Sequence, residues 1–248
     1  MNRKALIISN PGEAGAENYC AGVVKDVANY RSFLASPIGG LWYDSEISLM
    51  NRPSAAEVRM KTRDLSGCDY ALIVFCGHGW HSTATDSTCV VLRQGQEIDS
   101  VELRLANTAE TLVLDCCRRK GPWIPTARAL DEKLAKAGPR INPEDCRKYY
   151  DERIKECDGG LIVMYACSKD EFANDDSEKG GLYSYNLLNG SKGWARNSST
   201  DTSKTASFLS VVGAHEEAAS LIRQSSVRQT PHIEKPRTEP YFPFGIVA

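Results

Sequence analysis

A thiol and an imidazole, each delivered at the end of an apolar run, are the groups in this sequence best suited to chemistry. Tyr70-Ala-Leu-Ile-Val-Phe-Cys-Gly-His-Gly79 closes on Cys76, Gly77, His78 and Gly79, and Thr111-Leu-Val-Leu-Asp-Cys-Cys117 closes on Asp115, Cys116 and Cys117. A thiolate attacks an acyl carbon, while a neighbouring imidazole favours the anion and then protonates the leaving group. His78 is the candidate base. His81 lies in a Ser/Thr-rich run, His215 falls on an apolar helical stripe, and His232 lies in the tail. Successive strand residues point to opposite faces, so only one of Cys116 and Cys117 meets His78 readily.

Elements that would position this pair follow from periodicity. Uninterrupted apolar strands suit the middle of a parallel sheet with helices on both faces. In such sheets ligands and chemistry sit at the carboxyl ends of the strands. Ala5-Leu-Ile-Ile-Ser9 and Leu161-Ile-Val-Met-Tyr-Ala-Cys167 read as two further buried strands, and Leu41-Trp-Tyr43 as a weak one. Tyr19, Val23, Val27, Tyr30 and Leu34 recur at three- and four-residue intervals and predict a helix. Ser54-x-x-Glu57 is a capping box opening a helix with Val58, Thr62 and Leu65. Cys89–Leu92 and Gln96–Ile98 flank Gly95 as a small hairpin after a polar loop from Trp80 to Thr88, and a short helix is expected around 100–106. Asn142-Pro143-Glu144 starts a helix running to about Cys157. A helix begins at Leu182 and gives way to a loop from Asn189 to Thr202. Phe208, Val212, His215, Ala219 and Ile222 form another helical stripe, and Tyr241–Val247 reads as an edge strand. Strands alternating with helices predict one doubly wound α/β domain over residues 1–248.

Composition excludes several classes. Of 248 residues, 42% are hydrophobic and 25% charged, as in ordinary globular proteins, and the net charge of −2 provides no field to recruit nucleic acid or an acidic membrane. No apolar run approaches a membrane span. An apolar strand starting at Ala5 predicts no signal peptide. Nine cysteines, an odd number without a secretory signal, predict free thiols in a reducing, cytoplasmic compartment. No paired Cys-x-x-Cys motifs suggest structural zinc. Asn10-Pro-Gly-Glu-Ala-Gly15 lacks the Lys-Ser/Thr ending of a phosphate loop, which argues against nucleotide binding.

Phe75-Cys-Gly-His-Gly79 followed by Leu114-Asp-Cys-Cys-Arg118 resembles the caspase and metacaspase superfamily of cysteine peptidases. Their histidine strand ends Tyr-Ser-Gly-His-Gly, and their cysteine strand ends Asp-Ser-Cys-His-Ser-Gly or Gln-Ala-Cys-Arg-Gly. Ala21-Gly22-Val-Val-Lys-Asp26 resembles the metacaspase Leu-x-Gly-x-x-x-Asp helix start, and Gly180-Gly-Leu-Tyr-Ser-Tyr-Asn-Leu-Leu188 the Gly-Gly-x-Phe-Thr-x-x-Leu-Leu segment. The resemblance implies a three-layer caspase-like fold with a mostly parallel central sheet. It implies a bacterial, metacaspase-type cysteine endopeptidase with His78 and Cys117 as catalytic dyad, Cys116 being a small buried neighbour. Gly79 and Cys117 would supply the oxyanion amides, a role suited to glycine because the chain can approach the charge closely. Asp115, two residues before the nucleophile, would line the pocket for the residue preceding the scissile bond. Asp26 would join it, with Cys76 at the position of a pocket serine. Two converging carboxylates suit Arg or Lys and repel Asp.

The resemblance further implies a protein substrate and no metal or organic cofactor, with a role in stress-induced or antiphage cell death. A non-catalytic caspase-like scaffold is the alternative, and the intact His and Cys argue against it. The sequence departs from the pattern in places. The interval from His78 to Cys117 is shorter than the roughly 50 residues of caspases, and Arg119 replaces a glycine. Asp86, Glu97 and Asp99 are too scattered to supply the roughly six to eight oxygens calcium needs. No prodomain is expected ahead of the first strand. Loops 118–140 and 168–181 are candidate activation or substrate-positioning segments, with Arg118, Arg119, Lys120, Lys133, Lys136 and Arg140 as self-cleavage candidates. An activating partner protein is a further candidate.

Overall fold

The structure, a computed structural model, describes residues 1–106, 108–119, 142–198 and 206–248. In chain order the elements are β1 (Arg3–Asn10), α1 (Gly22–Ala35), β2 (Ile47–Asn51), α2 (Ala55–Leu65), β3 (Tyr70–Gly77), β4 (Gly79–Ser82), β5 (Ser87–Arg93), β6 (Gln96–Asp99) and β7 (Ala109–Asp115). There follow α3 (Pro143–Lys155), β8 (Leu161–Tyr165), β9 (Asp175–Asp176), β10 (Gly180–Gly181), α4 (Leu182–Ser198), β11 (Ser207–Ser210), α5 (Val211–Gln224), β12 (His232–Glu234) and β13 (Pro243–Val247). Six strands form the main sheet in the order β12-β8-β7-β3-β1-β2. All neighbours are parallel except β12, which runs antiparallel to β8.

Alternation along the apolar strands creates two cores. Ala5, Ile7, Leu72, Val74, Val113, Ile162 and Met164 face α1, α3, α4 and α5 through Phe33, Tyr150, Leu187 and Ile222. Leu6, Ile8, Ile73, Phe75, Leu112, Leu114 and Val163 face Val58 and Leu65 of α2 and the hairpin residues Val90, Leu92 and Ile98. Helices therefore cover both faces, which is why the central strands are apolar without interruption. Each fully buried large side chain contributes about 1.5–3 kcal/mol.

Local signals explain the element ends. Ser54 Oγ accepts from Glu57 N at 3.2 Å while the Glu57 carboxylate accepts from Ser54 N at 2.7 Å, the reciprocal cap of α2. Asn142 caps α3 ahead of Pro143. Several expectations are corrected. Leu41–Tyr43 is not a strand: Leu41 has φ of 48°, and Trp42 is buried as an anchor with the Arg3 guanidinium 4.5 Å from its ring. The second strand is Ile47–Asn51, an edge strand that pairs only with β1 and so carries little hydrophobic signal. Trp80 to Ser82, expected as loop, forms β4 against β5. Helix α4 continues through Gly190 and Gly193 to Ser198, because its packing against α5 overrides glycine's weak propensity. Phe208 belongs to β11, which pairs with the tail strand β13 in a separate two-stranded sheet. The edge of the main sheet opposite β2 is instead β12, too short to read from sequence.

Candidate functional site

From β1 the chain crosses outward to β2 and then returns to the other side of β1 as β3. The carboxyl ends of β1 and β3 therefore flank a topological switch point, where open α/β sheets form crevices. Asn10 is in register with Gly77, and Cys76 with Asp115. His78 follows β3 directly and Cys116–Cys117 follow β7, so the two runs end at the same sheet edge. Asn10 fixes the β1 turn, donating from Nδ2 to the Val91 carbonyl at 2.7 Å and accepting from Gly12 N at 3.1 Å.

His78 is half-buried. Burial lowers its pKa below the ordinary imidazole value, while hydrogen bonds to backbone of Asn18 and Pro11 oppose the shift. Its Nε2 lies 3.7 Å from Cys20 Sγ, a contact between residues 58 positions apart that carries no local signal. Cys117 Sγ accepts from Ala173 N at 3.4 Å and reaches the Ala173 carbonyl at 3.7 Å. Burial pushes the Cys117 thiol up to about 11, with Asp115 and Asp175 adding to the shift. Burial, with the nearby Asp175 adding to it, also holds Cys20 as a thiol. At neutral pH, then, the resting site holds neutral thiols beside a neutral imidazole. Cys116 is buried, and a Cβ on Gly79 would come 2.6 Å from Cys116 Sγ, so Gly79 lies against the turn that carries Cys117.

On the other side of Cys117 three carboxylates converge. Asp26 is buried in α1 and accepts from Gly181 N at 3.0 Å. Asp115 accepts from Ser184 N at 3.0 Å and from Ser184 Oγ, which also contacts Tyr30 Oη at 3.1 Å. Asp175 accepts from Gly22 N at 3.0 Å. A Cβ at Gly181 would come 2.6 Å from Asp115 Oδ2 and 3.2 Å from Asp26 Oδ2, so only glycine lets β10 close over the pair. Burial raises the pKa of all three acids; Asp115 and Asp175 add repulsion at Asp26, and Asp175 adds it at Asp115. No cation among the described residues offsets these charges. Cys76 is fully buried next to Asp26 and Asp115, its thiol pushed up by burial and by both acids.

The structure thus gathers His78, Gly79, Cys117, Asp115 and Cys76 at one sheet edge with Asp26 of α1 beside them, and His78 and Cys117 do not hydrogen-bond to each other. Asp175, Cys20, Ser184 and the Ala173 backbone were missed. Only the Asp175-Asp176 pair ahead of Gly180-Gly181 offered a signal, and it sits in a loop without periodicity. Arg118 is buried with its guanidinium 4.2 Å from the Tyr165 ring. Its backbone N donates to Glu171 O, and its carbonyl accepts from His81 N and Asp170 N, so Arg118 is corrected as a self-cleavage candidate. Lys120, Lys133, Lys136 and Arg140 lie outside the described residues. Asp86, Glu97 and Asp99 are engaged by Lys169, Trp80 and Ser87 respectively. Among the described residues no helix is long and apolar enough to cross a membrane.

A family profile described as a caspase domain matches residues 2–242. The crystal structure of caspase-1 from Spodoptera frugiperda is similar, with a TM-score of 0.59 at 11% identity over 94% of this chain and 86% of that one. No curated protein sequence matches the chain.

Proposed function

Because the chain belongs to the caspase-domain family of cysteine peptidases, we propose that it is an endopeptidase cutting protein substrates after Arg or Lys, with Cys117 as nucleophile and His78 as base. The observation carrying the specificity is the pair of buried carboxylates, Asp26 and Asp115, joined by the half-buried Asp175 beside Cys117 without a cation among the described residues. Buried charges are normally paired, and an unpaired acid cluster beside a reactive group is a docking place for a cation. The guanidinium or ammonium of the residue before the scissile bond enters between Asp26, Asp115 and Asp175, with Cys76 beneath.

In this reading the resting thiol is released from Ala173 as substrate arrives. His78 takes the Cys117 proton, and Sγ attacks the carbonyl carbon. The amides of Gly79 and Cys117 receive the developing oxyanion. The tetrahedral intermediate collapses, the C–N bond breaks, and the new amine leaves with the proton from His78. Water activated by His78 then hydrolyses the thioester. A cationic side chain among the carboxylates also cancels the repulsion that adds to burial in raising the Cys117 pKa, so substrate binding helps generate the thiolate. The proposal takes residues 1–248 as one peptidase domain acting in the cytoplasm, switched on by a partner or by self-cleavage. Its place in a stress or antiphage cell-death response rests on family resemblance.

The test is hydrolysis of fluorogenic peptidyl amides ending in Arg, Lys or Asp. Arg and Lys reporters are cleaved and Asp reporters are not; cleavage of Asp reporters alone refutes the acidic pocket. Equal labelling of wild type and Cys117→Ala by a thiol-reactive activity probe would refute the nucleophile and favour the scaffold alternative.

A further inference from the structure

A cavity opens beside His78. This cavity of about 460 Å³ is lined by Asn10, Gly12, Glu13, Asn18, Arg52, His78, Gly79, Trp80, Val91, Gln94 and Arg119, among others. It shares no lining residue with the carboxylate trio. Its charged groups are Glu13, Arg52 and Arg119, one carboxylate against two guanidiniums. Glu13 pairs with one terminal nitrogen of Arg52, and Arg52 Nε is buried without an acceptor among the described residues. Arg119 is exposed, its guanidinium 5.1 Å from the Phe172 ring.

Resting on the proposed peptidase reading, we infer that this cavity receives the substrate residues that follow the scissile bond and selects an acidic side chain there. Chemistry sets the direction. The base must protonate the leaving amine, so the chain beyond the broken bond passes His78. With the preceding side chain held by Asp26, Asp115 and Asp175, the following residues run the opposite way, and His78 and Gly79 form the near wall of the cavity that meets them. A carboxylate on the first or second of these residues meets the exposed Arg119 and the net positive charge of the wall to which Arg52 contributes; a lysine there meets the same excess of positive charge and is repelled. The preferred substrate is basic before the cut and acidic after it.

The experiment uses internally quenched peptides with Arg fixed before the cut and Glu, Gln or Lys in the two positions after it. Wild type is expected to favour Glu over Lys by about tenfold in kcat/KM, the scale of two partly exposed charge contacts reversed in sign. Arg119→Glu should invert the ratio, and Gln94→Glu, which adds a carboxylate to the wall on an exposed turn, should reduce it. Because the readout is a ratio, a variant that folds less well still reports. A ratio near one in wild type, or one unchanged in both variants, overturns this inference while cleavage of Arg-amide reporters sustains the peptidase reading. Failure of wild type to cleave Arg-amide reporters removes both.

Discussion

Around Cys117, Asp26 and Asp115 are buried and Asp175 is half-buried, with backbone amides and one serine as partners, and burial raises the pKa of all three. Around His78, the charges of Glu13, Arg52 and Arg119 line an accessible cavity, and two of them already pair. The difference is one of stored energy. Charge buried without a counter-ion destabilises the fold and is relieved when a cation arrives, so that region can discriminate strongly. Exposed, partly paired charge costs little, and its selectivity is correspondingly mild.

The largest effect tests whether the comparison has the right centre. Cys117→Ala and His78→Ala should each lower kcat/KM on an Arg reporter at least about 10³-fold, whereas Cys20→Ala should retain most activity. If Cys20→Ala abolishes cleavage and Cys117→Ala does not, the nucleophile is the thiol 3.7 Å from His78. Next, Asp26→Asn or Asp115→Asn should cost about a hundredfold on Arg reporters by stranding the buried cation. A loss confined to a few fold would mean that the trio does not hold it.

The same acids set a pH dependence. Their folded pKa values are raised, so between the unfolded value of about 4 and the raised one the native state binds more protons. Stability from this group therefore falls as pH rises through that window. Asp26→Asn should raise the thermal midpoint at pH 8, and the gain should shrink towards pH 4; scanning calorimetry of both proteins reads the difference. Glu46 has the opposite sign: although burial opposes it, hydrogen bonds from Arg147 and the Tyr43 amide lower its pKa. Its contribution is present above its unfolded value and is lost as pH falls below it.

The smallest effect concerns the thiol. Alkylation of Cys117 should follow a titration near 11, shifted downward in Asp175→Asn, since Asp175 is one of the lesser causes that raise it. A small guanidinium ligand should accelerate alkylation at pH 7. No acceleration would uncouple the acid pocket from the nucleophile.

Much of this was legible because strand periodicity and reactive residues coincide. The apolar runs at 70–76 and 111–115 could only be buried strands, and their ends had to emerge at one edge of a parallel sheet. Asp26 was readable only through resemblance, since mid-helix acids usually face solvent; here the side chain is buried because Gly181 packs onto it. Asp175 and Cys20 were not readable, as each sits in an aperiodic connection whose path depends on what it packs against. The strand Ile47–Asn51 was missed for a related reason: an edge strand satisfies one ladder only and needs less apolar surface.

The sequence by itself determined the α/β alternation, the two cores and the delivery of His78 and Cys117 to the strand ends, because hydrophobic period and chain connectivity are local properties. Only the tertiary structure decided that Cys20 stands against His78, that Ala173 holds the resting Cys117 thiol, and that a third carboxylate joins Asp26 and Asp115. Those contacts join residues far apart in the chain, and their energies come from burial and charge that exist only once the layers close.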